Sequence, residues 1–297
     1  MLVTLPPLVV DQITAKIGRF VSNRLARGRG RCPKWLCISE DRAQPLLVKC
    51  LPSPHFREAN VYRQVLPLIT VPRPRLLLIV EDTSAKVYWL VIEFIPGTSP
   101  AFPSQISRVL QTLASLHDVT FNVHDLSLPV LREPVTRLTY MYRCATESIA
   151  QVSSLSLGRC TEIAKRVLER SHEFSNIHWL SRSANTLVHG NVHSGNVILD
   201  ASCLGTRAFL IDWADSDIGS PLEDLGDVLC EWPCSVELIL SDYRPSSIRR
   251  DIVNAESLLR AARFRAYLSL GWLASRVLEG SLQAAHKFSD VGGLMGL

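Results

Sequence analysis

The spacing of apolar residues changes near residue 97, and this change constrains the fold more than any other feature of the chain. Before it, short apolar runs alternate with turn residues, which is typical of strands in an antiparallel meander. After Pro96-Gly97, apolar residues recur every three to four positions, as they do on one face of an α-helix. The pattern predicts an α+β fold with two lobes: residues 1–96 as a small antiparallel β lobe, and residues 97–297 as a larger, mainly helical lobe.

The local patterns also predict the individual elements. A helix at 8–17 is followed by strands at 20–26, 34–39 and 45–51, a short helix at 54–66, and strands at 76–81 and 86–93. Apolar helical faces follow at 106–117, 134–152, 158–180, 222–240 and 246–279. Two short apolar runs interrupt these helices and predict a β-hairpin of residues 196–199 and 208–211.

Composition indicates a globular, cytoplasmic protein. Apolar residues make up 47% of the chain and charged residues 20%, unlike the composition of disordered proteins. No run approaches the roughly 20 apolar residues of a membrane span, and no basic segment precedes the apolar N-terminus, so we expect neither a membrane partner nor a signal peptide. The net charge of +4 is too small to indicate a nucleic-acid partner. The oligomeric state does not follow from the sequence.

The eight cysteines lie scattered in apolar surroundings, which is typical of reduced and buried thiols. Cys230 and Cys234 are four positions apart, but no second pair of this spacing lies nearby. We therefore expect no zinc site.

A polar segment in the helical part carries most of the candidate chemistry. It reads His189-Gly-Asn-Val-His-Ser-Gly-Asn196, and Asp212 follows the predicted hairpin. Asn196 and Asp212 lie at facing ends of the two predicted strands, so their side-chain oxygens are candidates to share one Mg²⁺. Phosphoryl transfer requires such a metal site, a cation for the phosphates, and a group that orients or deprotonates the attacking hydroxyl.

This segment, followed by Leu210-Ile-Asp-Trp213, resembles the catalytic loop and metal-binding aspartate of the aminoglycoside phosphotransferase family, which is related to choline kinases and protein kinases. The resemblance implies a protein kinase-like fold, ATP and Mg²⁺ as cofactors, and a small-molecule hydroxyl as phosphoryl acceptor. It makes Asn196 and Asp212 the metal ligands.

The same resemblance implies the catalytic residues. The family's loop reads His-Gly-Asp, so its catalytic aspartate maps onto Asn191, and His189 and Asp212 complete the candidate catalytic set. His189 is expected to hold the loop backbone through a hydrogen bond. Gly219-Ser-Pro-Leu-Glu-Asp224 resembles a further family segment, whose aspartate, here Asp224, braces the catalytic loop.

Further resemblances lie in the N-terminal part. Lys49 ends a predicted strand, as the family's ATP-phosphate lysine does, and Glu58 on the next helix is its expected ion-pair partner. The segment that ends at Pro96-Gly97 resembles the family's hinge, in which the carbonyl of Glu93 and the amide of Ile95 would contact adenine.

A phosphate-covering loop is expected between the first two strands, at Gly28 and Gly30. An alternative register uses Gly18, Ser22 and Asn23, but it leaves a longer segment before the lysine. The arginines beside Gly28 and Gly30 also fit a solvated turn.

Acidic residues cluster after the metal aspartate, at Asp215, Asp217, Glu223, Asp227 and Glu231. Two interpretations remain open. Acidic residues favour the N-terminal end of a helix, and they would also line a site for a cationic acceptor. Asp215 is the first candidate for substrate contact.

Asn191 determines how much activity the resemblance implies. A carboxylate can accept the proton of an acceptor hydroxyl, whereas an amide is not basic. General-base catalysis is worth about 10² to 10⁴ in rate. Three accounts stay open: a slow kinase, a pseudokinase that serves as a nucleotide-binding or regulatory module, and an engineered trap for a substrate complex. The net positive charge argues against polycationic aminoglycosides, but the local acidic run keeps them open, and choline-like, sugar and homoserine-like acceptors stay open as well.

Overall fold

The computed structural model describes residues 4–25, 32–39, 44–53, 56–101, 103–119, 131–181, 186–201, 207–232, 234–245 and 252–294. The chain forms two compact units, residues 1–100 with 194–216 and residues 101–193 with 217–297. The first unit thus takes in the segment 194–216 in addition to the N-terminal residues. The lobe boundary near residue 97 stays a prediction.

The described elements combine antiparallel strands with many helices, which confirms the predicted α+β class. The strands are β1 (Phe20–Leu25), β2 (Lys34–Ser39), β3 (Leu46–Pro52), β4 (Leu76–Asp82), β5 (Val87–Glu93), β6 (Gly97–Thr98), β7 (Thr186–Val188), β8 (Val197–Asp200), β9 (Ala208–Leu210) and β10 (Asp217–Gly219). The helices are α1 (Pro7–Ile17), α2 (Arg57–Gln64), α3 (Pro103–His117), α4 (Pro134–Ser153), α5 (Arg159–Glu169), α6 (His178–Ser181), α7 (Pro221–Glu231), α8 (Val236–Asp242), α9 (Ala255–Leu278) and α10 (Leu282–Leu294). In this part of the chain, none of the helices combines the length and apolar character that a membrane crossing requires.

The first unit is built on an antiparallel sheet with the strand order β1-β2-β3-β5-β4. Strand β5 is rich in β-branched and aromatic residues, which pack well on a pleated surface. One face of the sheet buries Trp35 and Trp89, whose ring centroids are 5.4 Å apart, in a core shared with Val9 and Ile13 of α1. Helix α1 therefore closes this face of the sheet.

Strand β3 places a charged residue, Lys49, on the face of the sheet opposite to α1. Successive side chains of a strand point to opposite sides, so Val48 and Cys50 enter the α1 core and Lys49 does not. Lys49 lies on the central strand β3 beside Leu90 of β5, where the sheet is buried on both faces. The alternation in β3 thus places a lysine in a buried position away from the apolar core.

The predicted hairpin is confirmed as β8 and β9, with Val197 opposite Leu210. Strand β6 adds to its edge, a pairing that the sequence pattern did not predict. At this edge a Cβ on Gly97 would overlap the backbone carbonyl of Leu199. Only glycine allows β6 to approach β8 so closely.

The second unit is a helical assembly around α9. Small residues allow α9 to approach two neighbours: Gly271 lies against Ala145 of α4, and Gly226 of α7 lies against Ala261 of α9. Strands β7 and β10 pair antiparallel beside these helices, with Val188 opposite Asp217.

Two predicted helical faces are divided in the structure. The face at 158–180 is interrupted after α5, and the face at 222–240 is split into α7 and α8. Trp232, which precedes Pro233, ends α7 with extended dihedral angles of φ −116° and ψ 146°. The proline ring disfavours helical angles at the preceding residue, which explains this break. Helix α9 begins later than predicted, because Asn254 caps it by accepting a hydrogen bond from the Ser257 N–H.

Candidate active site

Lys49 is the centre of a buried cluster of charges in the first unit. Its ammonium group donates a hydrogen bond to Glu58 on α2 and another, of 2.7 Å, to Oδ1 of Asp212. The side chains of Lys49 and Glu58 are 7% and 2% exposed, whereas that of Asp212 is 32% exposed. The predicted Lys49–Glu58 pair is therefore present, and Asp212 is the member of the cluster that reaches solvent.

The charge of Lys49 is stable in these surroundings. Burial by itself would lower the pKa of the ammonium group, but the nearby carboxylates of Glu58 and Asp212 raise the pKa above its ordinary value. The cation is thus permanent across the physiological pH range. A buried cation that stays protonated is suited to bind a phosphate oxygen.

Asp212 occupies a strained position directly after β9. Its backbone lies in the left-handed region, at φ 63° and ψ 67°, which aspartate tolerates better than most residues. The next residue, Trp213, is fully buried and donates its indole N–H to the Leu210 carbonyl over 2.9 Å. This anchor fixes the turn that carries the Asp212 carboxylate.

Arg57 fixes the far side of the same turn. It begins α2, and its guanidinium donates to the carbonyls of Ala214 at 2.7 Å and Ser216 at 2.5 Å. Glu58 is the next residue of α2, so one helix both binds the lysine and holds the backbone that follows Asp212. The sequence analysis did not identify Arg57, because an arginine at a helix start gives no local sign of a partner so far along the chain.

Asn196 lies at the start of β8, next to the strand that leads to Asp212. Its carbonyl accepts a hydrogen bond of 3.0 Å from the Ile211 N–H, and the residue is 6% exposed. The hairpin therefore places Asn196 and Asp212 at the same end, and a metal shared by their side chains stays a prediction. Carboxylate and amide oxygens are hard donors of the kind that Mg²⁺ prefers, so this pair fits a divalent metal.

The other candidates of the first unit occupy varied positions. Glu93 ends β5 opposite Leu46, and Ile95 follows it in a buried position.

Gly28 and Gly30 lie outside the described residues. In the alternative register, Gly18 caps the C-terminus of α1 with φ 107°. Asp215 is exposed at the end of the turn that follows Asp212, and its role in substrate contact stays a prediction.

In the second unit, Asp224 holds the segment that begins at His189. Its carboxylate accepts hydrogen bonds from the backbone N–H groups of His189 at 2.8 Å and Gly190 at 2.7 Å. Gly190 has φ 78°, a conformation that favours glycine. Asp224 thus braces the loop, as the family resemblance implies. The His189 side chain is fully buried in the same region.

A histidine contacts the Asp224 carboxylate, and a tyrosine contacts this histidine. His117, at the end of α3, contacts the Asp224 carboxylate through Nε2 at 3.0 Å and the Tyr243 hydroxyl through Nδ1 at 3.0 Å. Burial alone would raise the pKa of Asp224, but its contact with His117 and its hydrogen bond from the backbone hold this pKa below its ordinary value. Asp224 is therefore ionised when it accepts the loop N–H groups.

A buried ion pair holds the next part of the loop. Asp227 of α7 accepts a hydrogen bond from the Val192 N–H at 3.0 Å and binds Arg265 of α9 at 2.5 and 2.8 Å. Arg265 also donates to the Gly190 carbonyl at 2.8 Å. Asn191, the residue at the predicted catalytic position, lies between these two points of attachment.

Most acidic residues of this cluster bind other residues of the same chain. Glu223 forms a capping box with Ser220 and binds Arg137, while Asp217 binds Arg132 at 2.7 Å. The capping interpretation is thus confirmed for Glu223. Among the five residues of the cluster, Asp215 and Glu231 are exposed.

Comparison with known proteins identifies the family of the chain. A profile of the phosphotransferase enzyme family matches residues 37–275. A search of curated protein sequences finds no match.

Solved structures share the fold over nearly the whole chain. The GDP complex of a wild-type aminoglycoside 2′-phosphotransferase-IIIa is 15% identical, with a TM-score of 0.70 and coverage of 97% of both chains. Choline kinase LicA from Streptococcus pneumoniae is 12% identical, with a TM-score of 0.63 and the same coverage. Spectinomycin phosphotransferase in complex with ADP and spectinomycin is 12% identical, with a TM-score of 0.61 and coverage of 97% of this chain and 93% of that chain. The predicted two-lobed protein kinase-like fold is confirmed.

Proposed function

Because the chain belongs to the phosphotransferase enzyme family, we propose that it transfers a phosphoryl group from Mg²⁺-bound ATP to a hydroxyl of a small molecule. The buried cluster of Lys49, Glu58 and Asp212 is the observation that carries this proposal. Structurally similar proteins in complex with GDP or ADP support a nucleotide as the donor.

Each residue of the cluster has a distinct part in nucleotide binding. Lys49 donates hydrogen bonds to phosphate oxygens, while Glu58 keeps the ammonium group in place from within the protein. Asp212 and Asn196 would hold the divalent metal through their side-chain oxygens. The metal, when bound, neutralises charge that develops on the transferred group. We place adenine against the backbone of Glu93 and Ile95.

Asn191 orients the acceptor hydroxyl in this proposal. Its amide oxygen accepts a hydrogen bond from the hydroxyl, but it does not take up the proton, which passes to solvent water as the phosphoryl group is transferred and ADP leaves. Loss of general-base catalysis lowers the rate by about 10² to 10⁴. His189 contributes from within the loop, as a buried residue whose backbone Asp224 holds. The proposed enzyme is therefore slow.

Asn191 also favours a second candidate function. A chain that keeps Lys49, Asn196 and Asp212 but has an amide at position 191 also suits a pseudokinase that binds nucleotide as a regulatory module. The two functions differ in whether phosphate leaves the nucleotide.

For the acceptor, we propose a small hydroxylated amine. Similar structures include a choline kinase and a complex with spectinomycin. In this chain Asp215 is an exposed carboxylate close in sequence to Asp212, and it would attract a cationic group. The buried acidic residues do not take this part, because they bind arginines and backbone groups.

The test combines binding with turnover. Purified protein is titrated with Mg·ATP and Mg·GTP and then incubated with a panel of hydroxylated amines, with phosphorylated products detected by mass spectrometry. We expect slow transfer by the wild type, about 10² to 10⁴ faster transfer by Asn191→Asp, and none by Asp212→Asn. Asn176→Asp makes the same chemical change at an exposed site and serves as control.

The outcomes separate the two functions. Nucleotide binding without transfer by the wild type, together with transfer by Asn191→Asp, would identify a pseudokinase. If neither protein binds a nucleotide, both functions are rejected.

A further inference from the structure

The backbone on either side of Asn191 is held by one ion pair. Arg265 donates to the carbonyl of Gly190 over 2.8 Å, and Asp227 accepts from the N–H of Val192 over 3.0 Å. Arg265 and Asp227 bind each other through two hydrogen bonds, of 2.5 and 2.8 Å. The two residues come from different helices, α9 and α7, so the attachment joins the loop to the helical core of the second unit.

This ion pair is costly to bury. The side chains of Arg265 and Asp227 are 8% and 11% exposed, and the mutual attraction of two buried charges often fails to offset their desolvation. Its contribution to stability is thus a weak explanation for its presence. Its contacts with the peptide groups on both sides of one residue suggest a geometric role instead.

The orientation of an amide side chain matters more than that of a carboxylate. The two oxygens of a carboxylate are equivalent, so a half-turn of the group leaves its acceptors unchanged. The oxygen and nitrogen of an asparagine differ, and only one orientation presents the oxygen to a hydroxyl. A fixed backbone does not select this orientation, but it sets the position from which the side chain reaches the hydroxyl.

We propose that the Arg265–Asp227 pair is a positioning device for Asn191. It holds the peptide groups before and after Asn191, so that the side chain of this residue extends towards the acceptor hydroxyl from one backbone position. The structural part of this inference stands on the described contacts alone, while its kinetic consequence rests on the proposed function.

The structural part is tested without turnover. Arg265→Lys keeps the positive charge beside Asp227 but removes the planar fork that reaches two acceptors at once. We expect amide hydrogen exchange in residues 189–193 to become roughly tenfold faster, as for the loss of a hydrogen bond, with the rest of α9 unchanged.

Arg137→Lys is a matched control. Arg137 is also a buried arginine that binds both oxygens of a carboxylate on α7, Glu223, and donates to a backbone carbonyl, that of Ile218, but these partners are not residues of the segment 189–193. Exchange in residues 189–193 should not respond to it. Equal exchange in wild type and Arg265→Lys, or equal effects of both variants, would overturn the proposal.

The kinetic part is tested by a double-mutant cycle. Arg265→Lys should lower kcat by roughly 10 to 10² through misplacement of Asn191, with the KM for nucleotide unchanged. In an Asn191→Ala background no side chain remains to be positioned, so Arg265→Lys should have less than about twofold further effect. A loss of the same size in both backgrounds would show a merely structural role and reject the proposal.

Failure of the proposed function would give a different result. In that case no variant transfers phosphate, yet the exchange measurement still decides whether the ion pair holds the loop. Unchanged exchange would reject the positioning role while leaving phosphotransfer intact.

Discussion

Lys49 is unlike an ordinary surface lysine because its partners are buried with it. Exposed ion pairs contribute little, since water screens them. Here the lysine and Glu58 are both nearly inaccessible, and Asp212 adds a second carboxylate. Removal of the cation would leave carboxylates with uncompensated negative charge inside the protein.

Lys49→Met should therefore destabilise the fold as well as weaken nucleotide binding. We expect a loss of about 3 to 5 kcal/mol in the free energy of unfolding, typical of a broken buried ion pair. Chemical denaturation without nucleotide measures it. Lys16→Met, at an exposed position of α1, should change stability by no more than about 0.5 kcal/mol. Equal losses in the two variants would contradict the importance of burial.

Asp224 links stability to pH. Its pKa in the folded protein lies below the ordinary value of 3.8, so the ionised form is favoured by folding. The stabilisation by this group is complete above about pH 4 and is lost as the pH falls below 3.8 towards the folded-state pKa.

Asp224→Asn should remove this pH dependence. At neutral pH we expect it to cost about 1 to 3 kcal/mol, because one loop N–H loses its charged acceptor. The difference in unfolding free energy from the wild type should shrink as the pH falls below about 4. Urea denaturation across this range measures it, with Asp290→Asn at an exposed position as control. A difference that stays constant with pH would refute this linkage.

At the scale of elements, local patterns predicted the strands of the main sheet and the β8–β9 hairpin. Alternation of apolar and polar residues is a local property, so it can be read without knowledge of partners. The pairings of β6 with β8 and of β7 with β10 were not predicted. These strands of two or three residues are too short to show a period, and only their neighbours in space define them.

Local patterns also fail to predict how helix α9 packs. Its contacts with α4 depend on the absence of a side chain at Gly271. In an isolated helix, Gly→Ala stabilises by about 1 kcal/mol. Here a Cβ at this position would overlap Ala145, including its backbone.

Gly271→Ala should thus lower the stability of the protein, whereas the same substitution stabilises an isolated helix. We expect a net loss of about 1 to 3 kcal/mol from overpacking between α4 and α9. Thermal unfolding measures it, and Ser269→Ala, at an exposed position of the same helix, should not destabilise. A higher melting temperature for Gly271→Ala would show that the helices separate at little cost.

At the scale of the whole molecule, ligand binding and stability are coupled. A ligand that binds only the folded state stabilises it by about 2.7 kcal/mol at a concentration of 100 times its Kd. The proposed donor site lies within the first unit, which contains Lys49, Asp212 and Asn196.

Mg·ATP should therefore raise the melting temperature, and EDTA should abolish most of this shift. Asp212→Asn should remove it, because the proposed metal ligand and a partner of Lys49 are lost together. Asp215→Asn is the matched control, since we assign this nearby carboxylate to the acceptor, and it should keep the full shift. An equal shift with and without Mg²⁺ would reject the metal site.

The sequence by itself predicted the fold class, the hairpin and the residues of the candidate donor site. The fold class and the hairpin follow from the period of apolar residues, whereas the site residues follow from the resemblance to the aminoglycoside phosphotransferase family. It did not determine how the loop around Asn191 is supported. Arg265, Tyr243 and Arg57 reach partners far away in the sequence, and a charged or polar residue on a helix has the same local pattern whether it meets water or a buried partner. Only tertiary packing decided this, because desolvation and hydrogen bonding depend on which side chains surround a group in space.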